Sequence, residues 1–274
     1  MRELLNRTKL LISQLNERRI LYITLVVVGF FLITAASQNL YSIRREDSVA
    51  RSEYDELREL FYMMNAYSSD DISSLDAESP VAEQAEPQAP GHSLTTPDSP
   101  VDIPADPFEC LAWMNPDFVG WISISDTVVD YPVVQGRDNE CYLSTTFNGS
   151  RNPAGAIFMD YRCARGFYEP ICVLYGHNMR DGSMFAELNN YIEPAFMAEH
   201  PDINIKTKEG DDLIYRVFDA MYSDMRDTTP DVDVMEAYAA EAAIGSASRF
   251  LILSTCTPGA DKDERILVYS VLVG

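Results

Sequence analysis

The stretch RFLILSTCTPGADKDERILVYSVLV, residues 249–273, predicts two β-strands joined by a turn. Apolar and β-branched residues fill both ends of the stretch, and Pro, Gly and Asp, which are typical of turns, lie between them. The first strand ends at Cys256 and the second begins at Arg265. A cysteine at a strand end either packs in the core or is presented for chemistry, and the rest of the sequence has to separate these two interpretations.

The same strand pattern recurs upstream. Six further short apolar runs, separated by Gly, Pro, Asn or Asp, lie at 119–125, 127–135, 154–160, 171–176, 203–208 and 213–223. Eight short strands predict a mainly β fold, a closed or nearly closed barrel. Helices are predicted at 108–114, at 184–191 and, behind Pro230, at 231–243.

The N-terminal region has the pattern of a membrane anchor. Residues 20–43 contain no charged side chain and are long enough to cross a bilayer as one helix. Residues 1–19 carry five basic against two acidic side chains, which predicts a cytoplasmic N-terminus and an extracellular remainder. A cleaved signal peptide is the alternative, because Thr34-Ala35-Ala36 weakly resembles a cleavage site, but the apolar run is long for one.

Two segments connect the predicted anchor to the barrel. Residues 44–67 space apolar side chains three and four apart, which predicts an amphipathic helix that serves as a stalk or packs on the domain. Residues 68–107 contain nine acidic residues, seven prolines and no Lys or Arg, a composition that favours an extended, disordered acidic linker. The globular domain is therefore predicted to span 108–274.

Composition excludes several classes of partner and site. The formal net charge of -22 would repel phosphates, so nucleic acid is not an expected partner. Five cysteines without a CxxC pair predict neither a full disulfide set nor a structural zinc site, and no cofactor motif or metal-ligand cluster is present. Four cysteines and both tryptophans are expected to pack in the core or on helices: Cys110, Cys141, Cys163, Cys172, Trp113 and Trp121.

One of the three histidines stands out. His92 lies in the predicted linker and His200 in a polar turn, so both are expected at the surface. His177 directly follows the apolar run 171–176, at the point where a strand opens into a loop. Together with Cys256 and Arg265 it gives a nucleophile, an acid-base group and a permanent cation, each at a strand end. These three groups suffice for acyl transfer through a thioester.

At this point the sequence resembles a known family. YGHNMRDGSMFAELNNY (175–191), LSTCTP (253–258) and ERILVYSVLV (264–273) resemble the His, Cys and Arg segments of sortases, the membrane-anchored cysteine transpeptidases of Gram-positive bacteria. NPDFVGWISISDTVVDYPVVQGRDNECYLSTTFNG (115–149) and NPAGAIFMDYR (152–162) resemble the first strands of class B sortases. Ile252 is a departure, because the family often has Thr-Leu-x-Thr-Cys in this segment.

The resemblance implies a fold, a reaction and roles. The fold is an eight-stranded sortase-type β-barrel with a few short helices, in which 231–243 is similar to the extra class B helix before the cysteine strand. The reaction is cleavage of a C-terminal sorting signal after Thr, a thioacyl intermediate on Cys256, and transfer to an amine of a peptidoglycan precursor or a pilin. His177 would be the general acid and base, and Arg265 would stabilise the oxyanion. The candidate substrate-pocket residues flank these groups: Tyr175, Asn178, Ser254 and Thr255.

Alternatives stay open at this stage. The chain could be a catalytically silent, membrane-tethered binding or scaffold protein of the envelope, or a sortase that polymerises pilins. Asp261, Asp263 and Glu264 could orient neighbouring groups, although a solvated turn is the simpler interpretation. A papain-like hydrolase is disfavoured, because in that fold the cysteine precedes the histidine, whereas here His177 precedes Cys256.

Overall fold

The computed structural model describes residues 2–70, 106–223, 235, 237, 249–256 and 264–274. Within 2–70, side chains are described for residues 28–66 apart from 39 and 43. The described chain contains three α-helices: α1 (Arg2–Asp70), α2 (Pro107–Met114) and α3 (Pro194–Glu199). Its strands are β1 (Phe118–Ser123), β2 (Asp130–Val134), β3 (Ile157–Met159), β4 (Ile171–Tyr175), β5 (Asp202–Thr207), β6 (Asp212–Ser223), β7 (Phe250–Cys256) and β8 (Arg265–Leu272).

The eight strands form a closed barrel in the order β1-β2-β3-β4-β7-β8-β6-β5. The β2–β3 and β4–β7 pairs are parallel, and the other neighbours are antiparallel. Closure pairs every strand on both sides and removes open sheet edges. The predicted mainly β, eight-stranded barrel is confirmed, and each predicted strand overlaps an observed one.

Burial along the strands explains why some runs alternate and others do not. β5 alternates between buried and half-buried residues, because one of its faces is covered less completely. β7 is buried at every residue from Phe250 to Thr255. Leu251 and Leu253 belong to the main core, whereas Phe250 and Ile252 pack in a second cluster that includes Met235. Two covered faces therefore produce the uninterrupted apolar run FLIL.

Helix α1 contributes its last third, from Ala50 onward, to the compact unit Ala50–Gly274. Ala50, Tyr54, Leu57 and Phe61 lie on one helical face and are buried. The Tyr54 hydroxyl donates a 2.6 Å hydrogen bond to the carbonyl of Gly155. For the predicted segment 44–67, packing on the domain is therefore observed from Ala50 onward, and the compact unit Ala50–Gly274 contains this part of α1 together with the predicted domain 108–274.

The predictions for short helices and single residues had mixed outcomes. The predicted helix at 108–114 is confirmed as α2. Where an α-helix was predicted at 184–191, the structure has a 3-10 helix at Ala186–Ile192. Helix α3 follows it and begins at Pro194. Trp121 is buried, but Trp113 is 68% exposed and Cys141 is exposed, so core packing was wrong for these two. Both lie on short surface helices with one face toward solvent.

Several predictions fall partly or wholly outside the described residues. In the predicted helix 231–243, the structure describes only residues 235 and 237, and both are helical. The described residues do not include 71–105, which contains His92, or 257–263, which contains Asp261 and Asp263. Within the described part of the chain, no helix has an apolar stretch long enough to cross a membrane. Residues 20–27 of the predicted span 20–43 belong to the part of α1 whose side chains are not described.

Candidate active site

Strand register brings the cysteine and the arginine together. Cys256, the last residue of β7, is the direct antiparallel partner of Arg265, the first residue of β8. Partners across an antiparallel pair have Cβ atoms about 5 Å apart, and their side chains extend from the same face of the sheet. The β7–β8 register therefore places the side chains of Cys256 and Arg265 next to each other on one face of the sheet.

The histidine reaches the same place through a parallel pair. β4 runs parallel to β7, with Tyr175 in register with Ser254, so both strands end at the same rim of the barrel. The Gly176 N–H donates a 3.2 Å hydrogen bond to the Ser254 carbonyl and extends this pairing by one residue. His177 follows immediately, and its loop therefore starts next to the cysteine.

These groups share one pocket of about 160 Å³. Its lining consists of Asn139, Leu143, Phe158, Tyr175, Gly176, His177, Cys256 and Arg265. Cys256 is half-buried, so its thiol is sheltered and still reachable from the pocket. A nucleophile, an imidazole and a cation around one small cavity are the components that acyl transfer requires.

The imidazole of His177 is held by a backbone oxygen. Its Nε2 lies 2.7 Å from the carbonyl oxygen of Leu143. A carbonyl only accepts, so Nε2 donates in this contact and carries a proton. In the neutral ring Nδ1 is then the nitrogen that can accept a proton. The Leu143 carbonyl thus orients the imidazole of His177.

Close packing fixes the residue before the histidine. A Cβ added at Gly176 would lie 2.5 Å from Cδ1 of Ile157 and 2.6 Å from Cδ2 of Phe185. Both neighbours are buried and cannot move aside freely. Glycine is therefore required at this position by the approach of two core side chains, and this contact fixes where the His177 loop leaves the barrel.

A buried carboxylate lies behind the pocket wall. Asp160, just after β3, is 1% exposed and accepts hydrogen bonds from Asn139 Nδ2 at 3.0 Å and from the Tyr175 hydroxyl at 2.9 Å. Arg162 pairs with it at 2.8 Å. Burial by itself would raise the pKa of Asp160, but the bonds from Arg162, Asn139 and Tyr175 outweigh it and lower that pKa to about 2. The carboxylate is therefore ionised at neutral pH.

The structure separates the four candidate substrate-pocket residues. Tyr175 lines the pocket. Asn178 instead donates a 2.7 Å hydrogen bond to the backbone carbonyl of Cys256. Ser254 and Thr255 are fully buried and are not among the lining residues, because β7 is covered on both faces there. Their hydroxyls have no hydrogen-bond partner within the described part of the protein.

Sequence reasoning missed the opposite wall of the pocket. Asn139 and Leu143 belong to the loop between β2 and β3, and Phe158 lies on β3. No spacing pattern connects this loop to the histidine or the cysteine, since only the closed barrel brings them together. The single local signal was the run of turn residues around Asp138, which marks a loop without assigning it a role.

Known proteins that are similar in sequence and fold to this chain agree with this geometry. The family model described as the sortase domain matches residues 122–273. This chain belongs to the sortase family. Sortase B of Listeria monocytogenes serovar 1/2a is 32% identical over an alignment of 183 residues that covers 61% of this chain and 74% of the relative.

Two solved structures extend the likeness to the sortase fold as a whole. The Staphylococcus aureus sortase B-substrate complex has a TM-score of 0.62 and 25% identity, over 84% of this chain and 98% of that one. A Streptococcus pyogenes class B sortase involved in pilus biogenesis has a TM-score of 0.53 and 28% identity, over 61% and 97% of the two chains. These relatives identify the chain as a class B sortase, a cysteine transpeptidase.

Proposed function

We propose that this sortase cleaves a C-terminal sorting signal after Thr, carries the protein as a thioacyl intermediate on Cys256 and transfers it to an amine acceptor. The observation that carries the proposal is the pocket in which Cys256, its register partner Arg265 and His177 meet. The likeness to a Staphylococcus aureus sortase B-substrate complex supports a substrate-processing role for this chain.

The first half-reaction forms one bond and breaks one. The thiolate of Cys256 attacks the Thr carbonyl carbon, and an S–C bond forms as the carbonyl becomes an oxyanion. His177 takes up the thiol proton in this step and donates it to the leaving amine as the C–N bond breaks. The Leu143 carbonyl keeps the imidazole in place by holding Nε2.

The second half-reaction reverses these roles. An acceptor amine attacks the thioester carbonyl, His177 takes the proton that the amine loses, and the S–C bond breaks to return Cys256. Arg265 stabilises the oxyanion of both tetrahedral intermediates, because its guanidinium is permanently charged and donates hydrogen bonds in a planar fork. Its place opposite Cys256 in the β7–β8 register supports this role.

The acceptor amine defines two versions of the function. A peptidoglycan precursor would make the chain a surface-protein anchoring enzyme. A pilin lysine would make the chain a pilin polymerase. The likeness to a Streptococcus pyogenes class B sortase involved in pilus biogenesis supports this second acceptor. For the signal, the class B likeness favours an Asn-Pro-x-Thr type over Leu-Pro-x-Thr or Ser/Pro-Pro-x-Thr.

We also propose that residues 20–43 anchor the enzyme in the cell membrane as a single pass. The uncharged run and the basic residues before it support a cytoplasmic N-terminus and an extracellular catalytic domain joined by the acidic linker. Protease treatment of intact cells tests this arrangement. Loss of the catalytic domain with protection of residues 1–19 is expected, and a protected catalytic domain contradicts it.

The reaction is tested with the purified full chain. Fluorogenic peptides of the three signal types are incubated with hydroxylamine, a peptidoglycan-type peptide amine or a lysine-bearing pilin peptide. We expect cleavage after Thr, an acyl group mapped by mass spectrometry to Cys256 when no acceptor is added, and transfer of that group to the hydroxylamine or amine when one is present. Cys256→Ala should abolish all three, whereas Cys141→Ser, which removes an exposed cysteine, should retain all three. A folded wild type that cleaves no signal overturns the proposal.

A further inference from the structure

Asp160 is a charged group that the proposed reaction does not use. It lies one residue beyond β3 (Ile157–Met159), is 1% exposed, and its described hydrogen bonds involve none of Cys256, His177 or Arg265. Burying a carboxylate costs several kcal/mol unless hydrogen bonds and an opposite charge compensate. A group this costly behind an active-site wall has either a structural role alone or a role in shaping the wall.

The bonds of Asp160 fall into two groups. Arg162 contributes its backbone N–H and Nε to Oδ1, each at 2.9 Å, and Nη2 to Oδ2 at 2.8 Å. Asn139 Nδ2 and the Tyr175 hydroxyl both reach Oδ2, at 3.0 and 2.9 Å. Arg162 thus neutralises the carboxylate from one side, while two pocket-lining side chains bind it from the other.

An ionised carboxylate only accepts hydrogen bonds, which fixes the protons of its partners. Tyr175 must commit its single hydroxyl proton to Asp160, so any other hydrogen bond of that oxygen is accepted. Asn139 must place its NH₂ group toward Asp160, and its Oδ1 accepts from the backbone N–H of Tyr161 at 3.1 Å. Both ends of the Asn139 side chain are therefore held, and the amide cannot flip.

We propose that Asp160 is a positioning residue that sets the hydrogen-bond polarity of the substrate-facing wall, orienting Tyr175 as an acceptor and Asn139 as a donor for the backbone of an extended peptide. This inference rests on the proposed function and deepens it. A peptide group carries one N–H donor and one C=O acceptor, so a wall with one acceptor and one donor matches it. Because the pKa of Asp160 is lowered to about 2, chiefly by Arg162 against the effect of burial, the polarity stays constant over the working pH range.

The test compares Asp160→Asn with wild type in the full chain, with sorting-peptide cleavage as the readout. The amide can donate as well as accept, so the protons of Tyr175 and Asn139 are no longer fixed. We expect kcat/KM to fall about tenfold, mainly through KM, as for a lost substrate hydrogen bond. Alkylation of Cys256 by iodoacetamide without peptide should stay within about twofold of wild type, because the nucleophile is untouched.

Arg162→Gln is the matched control. It weakens the charge pair of Asp160 but leaves the bonds to Asn139 and Tyr175 in place. A purely structural role predicts that both variants lower the unfolding midpoint and kcat/KM in parallel. A positioning role predicts a lower midpoint for both, with a raised KM only for Asp160→Asn.

A double-mutant cycle with Tyr175→Phe provides the deciding measurement. If Asp160 acts through Tyr175, the fold-change in kcat/KM that Asp160→Asn causes should be at least about threefold smaller in the Tyr175→Phe background than in wild type. Unchanged KM in Asp160→Asn, or full additivity in the cycle, overturns the inference. Should Asp160→Asn fail to fold, Asp160→Glu keeps the charge but displaces the carboxylate by one methylene, and the same cycle applies. A wild type that cleaves no peptide would instead refute the proposed function.

Discussion

The side-chain amide of Asn178 donates a 2.7 Å hydrogen bond to the backbone carbonyl of Cys256. The bond joins the residue after the proposed base to the proposed nucleophile itself, although they lie far apart in sequence. It fixes the distance between the His177 loop and the end of β7. An isolated antiparallel β-bridge between Asn178 and Met184 also joins the two ends of this loop.

Asn178→Ala should therefore impair the chemical step more than substrate binding. Without the bond, the His177 loop loses its tie to β7, and small displacements of a catalytic group are costly. We expect kcat to fall about tenfold or more with KM within about threefold of wild type. Asn148→Ala, in an exposed turn, is the control and should behave as wild type. A raised KM at constant kcat would contradict the assignment.

Gly176→Ala should destabilise the protein and reduce activity together. The new Cβ would overlap Ile157 and Phe185, and overpacking of this kind costs about 1–3 kcal/mol. Since His177 is the next residue, any backbone shift moves the base. Chemical unfolding and peptide cleavage measure the two effects. Gly274→Ala is the control, because its Cβ would meet Ile214 at an ordinary 3.7 Å; a stable, active Gly176→Ala protein would refute the prediction.

Phe61→Ala should show that the part of helix α1 from Ala50 onward stabilises the barrel. The Phe61 ring stacks on Trp121 with centroids 4.2 Å apart and is 1% exposed. Truncating a buried phenylalanine costs about 3–5 kcal/mol. Met63, two residues further along α1, is 49% exposed, so Met63→Ala should change the free energy of unfolding by less than about 0.5 kcal/mol. Equal effects of the two substitutions would mean that α1 does not stabilise the barrel.

Because of Asp160, the free energy of unfolding should fall as the pH is lowered through the acid range. Its pKa is about 2 in the folded protein and near 3.8 when unperturbed, so the unfolded chain takes up the proton first as pH falls. The stabilisation, about 2 kcal/mol, is complete above about pH 5 and is lost as pH drops from about 4 to 2. Urea unfolding at pH 7, 4 and 2.5 measures it. The difference in the free energy of unfolding between wild type and Asp160→Asn should become smaller toward pH 2.5. A difference that does not change with pH would contradict the assignment of this stabilisation to ionised Asp160.

The strands were predictable because their signals are local. Each apolar run between turn residues became a strand, and β7 and β8 begin and end within one residue of the predicted limits. Helix α2 was equally accessible, since Asp106 caps it and Pro107 occupies its first turn. Residues 186–199 were less accessible, because 3-10 turns and a six-residue helix are too short for a clear periodicity.

The site was predictable only in part. Cys256, His177 and Arg265 could be singled out because each lies at the end of an apolar run, where strands present side chains. Ser254 and Thr255 could not be assigned to an environment from their position beside Cys256. Whether a strand residue faces a pocket or a covered face depends on what packs over that strand, which here includes Met235.

Short segments and their order in the chain were enough to predict the eight strands and the family, and to single out Cys256, His177 and Arg265 as candidates. Three features became visible only in the folded barrel: the register that pairs Cys256 with Arg265, the second pocket wall with Asn139 and Leu143, and the buried Asp160 behind that wall. Those relationships join residues distant in the chain, and the closing of a barrel through two parallel pairs, β2–β3 and β4–β7, brings them into contact. No local pattern specifies such contacts, because each one depends on the packing of several strands at once.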